Sequence, residues 1–382
     1  MIDSMLTAIL HHPRRLWLRK AIFQVHLWLG LLLSLYVIVI SLSGTTLVFE
    51  DEIRAASMPQ VHYDATRVAP LRSVMTQAHD RFPASRLSYI TLPQKESPRW
   101  SLFLEDANGK SRTVYADAFT GEPQMHGGKL FIDWMLELHV YLLMGPTGFV
   151  VNCAAGIGLL LLSITGAVLW WPGVRLWRRA LGVSLRSRWK RINYDLHSAV
   201  GIWTLFIVSW WGFTAVCFLF PTQVTAVVNA VSPLKGMKEP QTPKPPPSSE
   251  VASLESIVAQ QPAISPGFLS GISLPDKPGG KVVLYVDRRS PGDFTHRDID
   301  TFDGHTGKLL TVWHYGEKQS LGDWLVWLVY PLHFGTLWGL PVKILWALLG
   351  VGLAALSVTG VLMYWNRYLH TRWRALSTNA AR

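Results

Sequence analysis

The sequence predicts a membrane α-helical protein, with four transmembrane helices in two parallel repeats and two small periplasmic α+β domains. Three observations predict it: four apolar stretches of bilayer-crossing length, basic residues gathered in three short segments, and a second half that repeats the spacing of the first.

Apolar residues make up 49% of the 382, a high share for a chain that packs only against itself in water. Stretches 27–49, 147–171, 195–220 and 341–365 each reach the about 20 mostly apolar residues that a helix needs to cross hydrocarbon. None carries Lys or Arg near its middle, and Lys343 sits at an end. The first stretch exceeds the roughly 7–15 apolar residues of a cleaved signal. It also ends in Val48-Phe49-Glu50-Asp51, without a small-residue cleavage site, so it is expected to stay as an anchor.

The net charge of +11 invites a nucleic-acid reading until the cations are located. Residues 1–20, 173–193 and the tail from 366 hold 15 of the 36 Lys and Arg, against the single acid Asp3. Lys and Arg that flank spans stay on the cytoplasmic side, so the basicity reports topology and no nucleic-acid partner is expected. The predicted order is a cytoplasmic N-terminus 1–26, a first span, and a periplasmic domain 50–129 with an interfacial helix 130–145. After the second span come a cytoplasmic loop 172–194, the third span, a domain 221–318 and an interfacial helix 319–338. The last span leads to a cytoplasmic tail 366–382. Cys153 and Cys217 lie inside spans, form no metal-binding spacing, and read as small packing residues.

The second half repeats the first, which sets the architecture before any local assignment. His26-Leu27-Trp28-Leu29-Gly30 opens the first span and His197-Ser198-Ala199-Val200-Gly201 the third. Leu138-His139 and Leu332-His333 each precede, by five residues, a glycine ahead of the next span. Ser163-Ile164-Thr165-Gly166 answers Ser357-Val358-Thr359-Gly360, with 26 residues from histidine to threonine in both halves. The SxTG runs read as small-residue helix packing, ahead of the alternative of a role in proton or quinone handling.

Between the spans, residues 70–124 predict a helix (Leu71 to Phe82) and strands around Leu87 to Leu92, Trp100 to Leu104 and Ser111 to Asp117. Residues 251–310 repeat that order, with a helix from Val251 to Gln260 and strands near Phe268 to Leu274, Val282 to Asp287 and His296 to Asp300. Turn residues punctuate period-two strands in each. Pro233 to Ser249, rich in Pro and Lys, reads as an extended linker. Two halves of like orientation imply a pseudo-two-fold axis along the membrane normal.

That axis can bring His26 to His197 at the cytoplasmic ends of spans one and three, and His139 to His333 at the outer level. Ionisable residues beside spans tend to mark function, and imidazole is an axial ligand of haem iron. In HxxxG the glycine lies one turn on, along the same helix face, which leaves room for a flat macrocycle. A bare zinc or copper ion would need further ligands. Asp195 is the acid close to His26 and His197, while Asp133, Glu137 and Asp323 precede the outer histidines and could hold their second ring nitrogens. Trp134, Trp324, Trp327 and Trp338 crowd the outer helices, as packing or as the lining of a cleft. No GxGxxG run opens a βαβ unit, so a built-in nicotinamide or flavin domain is not expected.

Arg19-Lys20 through His26-Leu27-Trp28-Leu29-Gly30, the SxTG span ends and the two outer units resemble the PepSY-associated transmembrane family over nearly the whole chain, the outer units being PepSY-like. That family includes the bacterial ferric-siderophore reductases of the ferrioxamine type. The resemblance implies an oxidoreductase of the bacterial inner membrane with both termini cytoplasmic. It would bind two haem b groups, one between His26 and His197 and one between His139 and His333. It would pass electrons from a quinol or a cytoplasmic reductase to a ferric siderophore, of hydroxamate type, and so release iron in the periplasm. No catalytic residue beyond the haem ligands follows from the sequence. The competing readings are a PepSY-type regulatory or binding protein without redox activity and a siderophore transporter component.

Overall fold

The computed structural model describes residues 17–59, 63–95, 97–107, 111–124, 129–243 and 251–370. Arg14, Arg15, Arg372, Arg374 and Arg382, counted above as flanking charge, lie outside the described residues, as do 244–250 at the end of the expected linker. The chain forms two compact units, Met1–Glu50 with Phe131–Thr225 and Val329–Arg382, and Asp51–Leu130 with Ala226–Leu328.

The first unit is a helix bundle. Trp17–Leu47, Gly145–Trp170, Trp189–Leu219 and Leu340–Leu369 are long and apolar enough to cross a membrane. The first and third helices begin at Trp17 and Trp189 rather than at 27 and 195. A hydropathy window sees only the lipid-soluble part, whereas the backbone ladder continues through the basic residues before it. At 31 residues each, these helices run about 46 Å, beyond the about 30 Å of hydrocarbon. His26 and His197, expected at span ends, therefore stand inside their helices.

One side chain from each span, Val37, Leu159, Val208 and Leu353, meets in a buried cluster at the bundle centre. Leu32, Leu35, Trp203, Phe206 and Leu348 are exposed on the outside. Contiguous apolar surface of this kind is rare on soluble monomers and suits acyl chains. Small residues let the helices approach: a Cβ on Gly212 would fall 2.7 Å from the Leu160 backbone nitrogen, and Gly350 abuts Thr45. Dispersion between close backbones replaces the hydrophobic drive that lipid removes.

The two helices ahead of spans two and four are shorter than 130–145 and 319–338, spanning Phe131–Tyr141 and Leu321–Phe334. Leu142 and Leu143 stop the first at positive φ, and Gly335 stops the second at φ 70°. Left-handed residues end the hydrogen-bond ladder and turn each chain into the following span.

The second unit corrects the expectation of two separate α+β domains. Its strands, β1 (Ser85–Thr91), β2 (Arg99–Asp106), β3 (Ser111–Asp117), β4 (Pro123–Gln124), β5 (Phe268–Ser273), β6 (Lys281–Asp287), β7 (Arg297–Asp303) and β8 (Leu309–Tyr315), make one antiparallel sheet. Its order is β4-β3-β2-β1-β5-β6-β7-β8. Strands β1 and β5 join the halves through Tyr89↔Ser273, Ile90↔Ile272 and Thr91↔Gly271. Either half alone would leave an edge strand unpaired, which sheets avoid. Ile90, Leu102, Ile272, Leu284 and Phe302 share one core with Val74 and Ala78 of the helix Leu71–Arg81.

The outermost strands β4 and β8 were not expected, and the helix predicted over 251–260 is shorter, Leu254–Val258, followed by a separate turn of helix Gln261–Ile264 with Pro262 in its first turn. Phe119-Thr120-Gly121-Glu122 and Gly304-His305-Thr306-Gly307-Lys308 form matching turns. Asp117 Oδ1 accepts from the N–H groups of Phe119 and Thr120, and Asp303 from the N–H of His305 and the hydroxyl of Thr306. Gly121 and Gly307 follow at φ 74° and 67°, where a Cβ would be strained. The expected linker is packed at its start, because Leu234 and Met237 are buried.

Candidate functional site: two histidine pairs

His26 of the first span faces His197 of the third, with ring centres 6.3 Å apart and planes 86° from parallel. His139 and His333 face each other at the same 6.3 Å, inclined at 58°. A metal–imidazole bond is about 2 Å long, and a ring centre lies roughly 1 Å behind its nitrogen. Two imidazoles on opposite sides of one ion thus have centres about 6 Å apart.

Each Nδ1 is held by the neighbouring span of its own half. His26 Nδ1 lies 2.9 Å from Thr165 Oγ1, and His197 Nδ1 lies 3.0 Å from both Thr359 Oγ1 and the Leu356 carbonyl. His139 Nδ1 lies 3.0 Å from the Ile40 carbonyl and 3.2 Å from Ser43 Oγ, and His333 Nδ1 lies 2.7 Å from Thr214 Oγ1.

The direction of these bonds follows from the hydroxyls. Each one donates its hydrogen to a carbonyl of its own helix: Thr165 to Leu161, Thr359 to Ala355, Ser43 to Val39 and Thr214 to Trp211. The carbonyls of Ile40 and Leu356 can only accept, so Nδ1 of His139 and His197 donates and Nε2 is left as the ring atom able to ligate a metal. With the Thr165 and Thr214 hydroxyls donating to their own helices, His26 and His333 take the same tautomer.

Of these hydroxyls, Thr165 and Thr359 belong to the SxTG runs expected to pack helices, and Ser43 and Thr214 had no expected role. Their signal was present, since Ser43 and Thr214 both lie 17 residues after His26 and His197, and Thr165 and Thr359 both lie 26 after His139 and His333. Gly166 and Gly360 lie against the imidazoles of His26 and His197, where an added Cβ would meet Cε1 at 3.2 and 3.4 Å. Gly44 lies against His139, with 2.8 Å to Cε1.

The acids expected to orient the rings do other work. Asp195 pairs with Arg191 and accepts from the Ser184 N–H. Asp323 accepts from the backbone N–H groups of Lys235, Gly236, Met237 and Gln319. Burial alone would raise its pKa, but the four N–H groups hold it down at about 2. At His139 the place proposed for Asp133 or Glu137 is taken by Ile40 and Ser43. Among the tryptophans, Trp327 donates to the Thr295 carbonyl and lies under Lys318, whose Nζ is 3.8 Å from its ring centre.

The pairs occupy two levels. The 17 residues from His26 to Ser43, on which His139 rests, correspond to about 26 Å of helix, most of a hydrocarbon core. A cavity of about 1240 Å³ surrounds the first pair, lined by Gly30, Gly166, Gly201 and Gly360 and reaching Arg19 and Lys190 at the basic end of the bundle. The second pair lies outside the spans. Burial lowers the pKa of His139 against the opposing Ile40 carbonyl, and burial then the neighbouring His139 lower that of His333. Among the described residues no three His, Cys, Asp or Glu side chains converge as a metal-binding group.

A model of the PepSY-associated TM region matches residues 23–367. A relative from Pseudomonas aeruginosa, an uncharacterized protein, is 28% identical over 262 residues, which cover 62% of this chain and 64% of the relative. The match spans less than two thirds of that relative's length.

Proposed function

For a chain that belongs to the PepSY-associated transmembrane family, we propose a two-haem reductase that carries electrons across the bacterial inner membrane to a ferric siderophore outside. The observation that carries this reading is the pair of 6.3 Å histidine contacts with Nε2 of all four rings left as the atom able to ligate a metal. Two nitrogens per site are too few for a bare zinc or copper ion, which needs three or four protein ligands. A porphyrin would supply four nitrogens of its own and would ask the protein only for the paired histidines, His26 with His197 and His139 with His333.

The glycines lining the first cavity supply the flat-sided space that a macrocycle requires. Haem, once bound, supplies one-electron chemistry at iron. The protein's part is positional. His26 and His197 fix one site near the basic end, His139 and His333 fix the other about 26 Å along the bundle, and four hydroxyls hold the rings. The spans keep water and lipid headgroups from the path. Basic flanks support a cytoplasmic side for His26 and His197, with an unidentified donor, a quinol or a reductase, at that end.

The substrate's ferric ion accepts one electron at the outer end and becomes ferrous. Hard oxygen ligands such as hydroxamates suit the ferrous ion less well, so reduction favours release. The test is a visible spectrum of the purified protein with haem-to-chain stoichiometry. Two haems per chain are expected, falling to one in each of His26→Ala, His197→Ala, His139→Ala and His333→Ala, with the first two variants losing the same spectral component. A colourless protein, or a shared loss in His26→Ala and His139→Ala, refutes the reading.

A further inference from the structure

The basic end of the bundle is doubly stocked. Arg19 and Lys20 lie seven and six residues before His26, and Lys190 and Arg191 lie seven and six before His197. All four line the cavity around the first histidine pair. Topology alone asks that cations flank a span on its cytoplasmic side; it does not ask that they line a cavity.

In each dipeptide one cation is already used. Arg19 donates to the carbonyls of Val168, Leu169 and Trp171, closing the C-terminal end of span two. Arg191 pairs with Asp195 at 2.8 Å. Lys20 and Lys190 have no hydrogen-bond or ion-pair partner among the described residues. Each half thus contributes one uncommitted ammonium to the same space, about two helical turns, roughly 9–10 Å of rise, from its histidine.

We propose that Lys20 and Lys190 bind the two carboxylates of the macrocycle ligated by His26 and His197, so that its acidic edge faces the basic mouth and its apolar edge lies among Val37, Val208 and Leu353. This rests on the haem reading above. The charge count supports it, with two ammoniums for two carboxylates. So does the lining: Val37, Val208 and Leu353 close the far end of the cavity with no charged group, where an ionised carboxylate would be costly to bury. Charge-assisted bonds here would both retain the macrocycle and favour its reduced form, because an adjacent cation offsets the added electron.

The experiment uses the purified holoprotein in a His333→Ala background, which leaves only this haem. Haem transfer to excess apomyoglobin and the midpoint potential by spectroelectrochemistry are measured for Lys20→Gln/Lys190→Gln, for Lys20→Arg/Lys190→Arg, and for Arg186→Gln/Arg188→Gln, which removes equal charge just before the third long helix, outside the cavity lining. The Gln pair at 20 and 190 is expected to lose haem roughly tenfold faster and to have a lower potential, while the Arg pair and the loop control stay near the parent. An unchanged potential and loss rate in the first variant, or an equal change in the loop control, overturns the assignment while the haem reading stands. A parent protein with no haem band overturns both.

Discussion

Replacing Thr214 by valine tests whether the hydroxyls set the ligand state of the imidazoles. Valine keeps the shape of threonine in a position with no exposed surface and deletes the oxygen 2.7 Å from His333 Nδ1. A buried donor left without its acceptor costs about 1–3 kcal/mol, and loss of such an orienting partner typically weakens a metal site about 10–100-fold. The ring is also freed to carry its hydrogen on Nε2, which does not ligate. Ser43→Ala is the internal comparison, because His139 keeps the Ile40 carbonyl at 3.0 Å when the serine oxygen goes. Haem loss to apomyoglobin from a His26→Ala background, where only the second site remains, should rise about 10–100-fold for Thr214→Val and a few-fold at most for Ser43→Ala. Equal effects, or a larger one for serine, would refute the inference that each hydroxyl accepts from Nδ1.

On the two-haem proposal, Gly44→Ala should eliminate the haem at His139 and His333 while sparing the other, since the new Cβ would stand 2.8 Å from His139 Cε1; stoichiometry and difference spectra check this. Gly212→Ala acts without touching a histidine. Its Cβ would meet the Leu160 nitrogen at 2.7 Å, overpacking worth about 1–3 kcal/mol, and the strain between spans two and three should convert part of the low-spin bis-histidine spectrum to high spin. An unaltered spin state would show that this contact does not set the histidine spacing. In the sheet unit, burial raises the pKa of Asp300 to about 6, partly offset by the Ser265 hydroxyl. The folded chain therefore keeps a proton that the unfolded chain has released, and stability falls as pH rises from about 4 to about 6. Asp300→Asn should raise the thermal midpoint at pH 7.5, by the equivalent of about 1–3 kcal/mol, and change it little at pH 4; equal shifts at both pH values would contradict this.

The spans were legible because a hydrocarbon solvent leaves an unmistakable composition, and the histidines because the half-to-half spacing picks them out among thirteen. Two things were hidden for physical reasons. Pairing between β1 and β5 joins residues about 180 positions apart, and strand periodicity reports which face is buried but not which edge meets which. The hydroxyl partners were masked because a Ser or Thr in a span reads the same whether it bonds only its own helix or also a ring on a neighbour. Their repeated offsets of 17 and 26 residues were visible, yet only the facing helix turns an offset into a contact. The acids near the histidines misled for the converse reason, since closeness in sequence suggested pairing while Asp323 is consumed by four backbone donors.

The division of labour between halves explains why duplication suits this site. Every imidazole is braced by a span from its own half, as Thr165 braces His26 and Thr214 braces His333, yet each pair draws one ring from each half. Orientation is thus set locally, and the gap between rings is set by contacts that cross the halves, such as Gly212 on Leu160 and Gly350 on Thr45. Both pairs have ring centres 6.3 Å apart, the outcome that a two-fold relation between the halves would produce at both ends of the bundle. An arrangement with all four ligands in one half would need two independent solutions to the spacing. Here a single packing geometry between two similar halves serves both levels, with ring centres 6.3 Å apart at each.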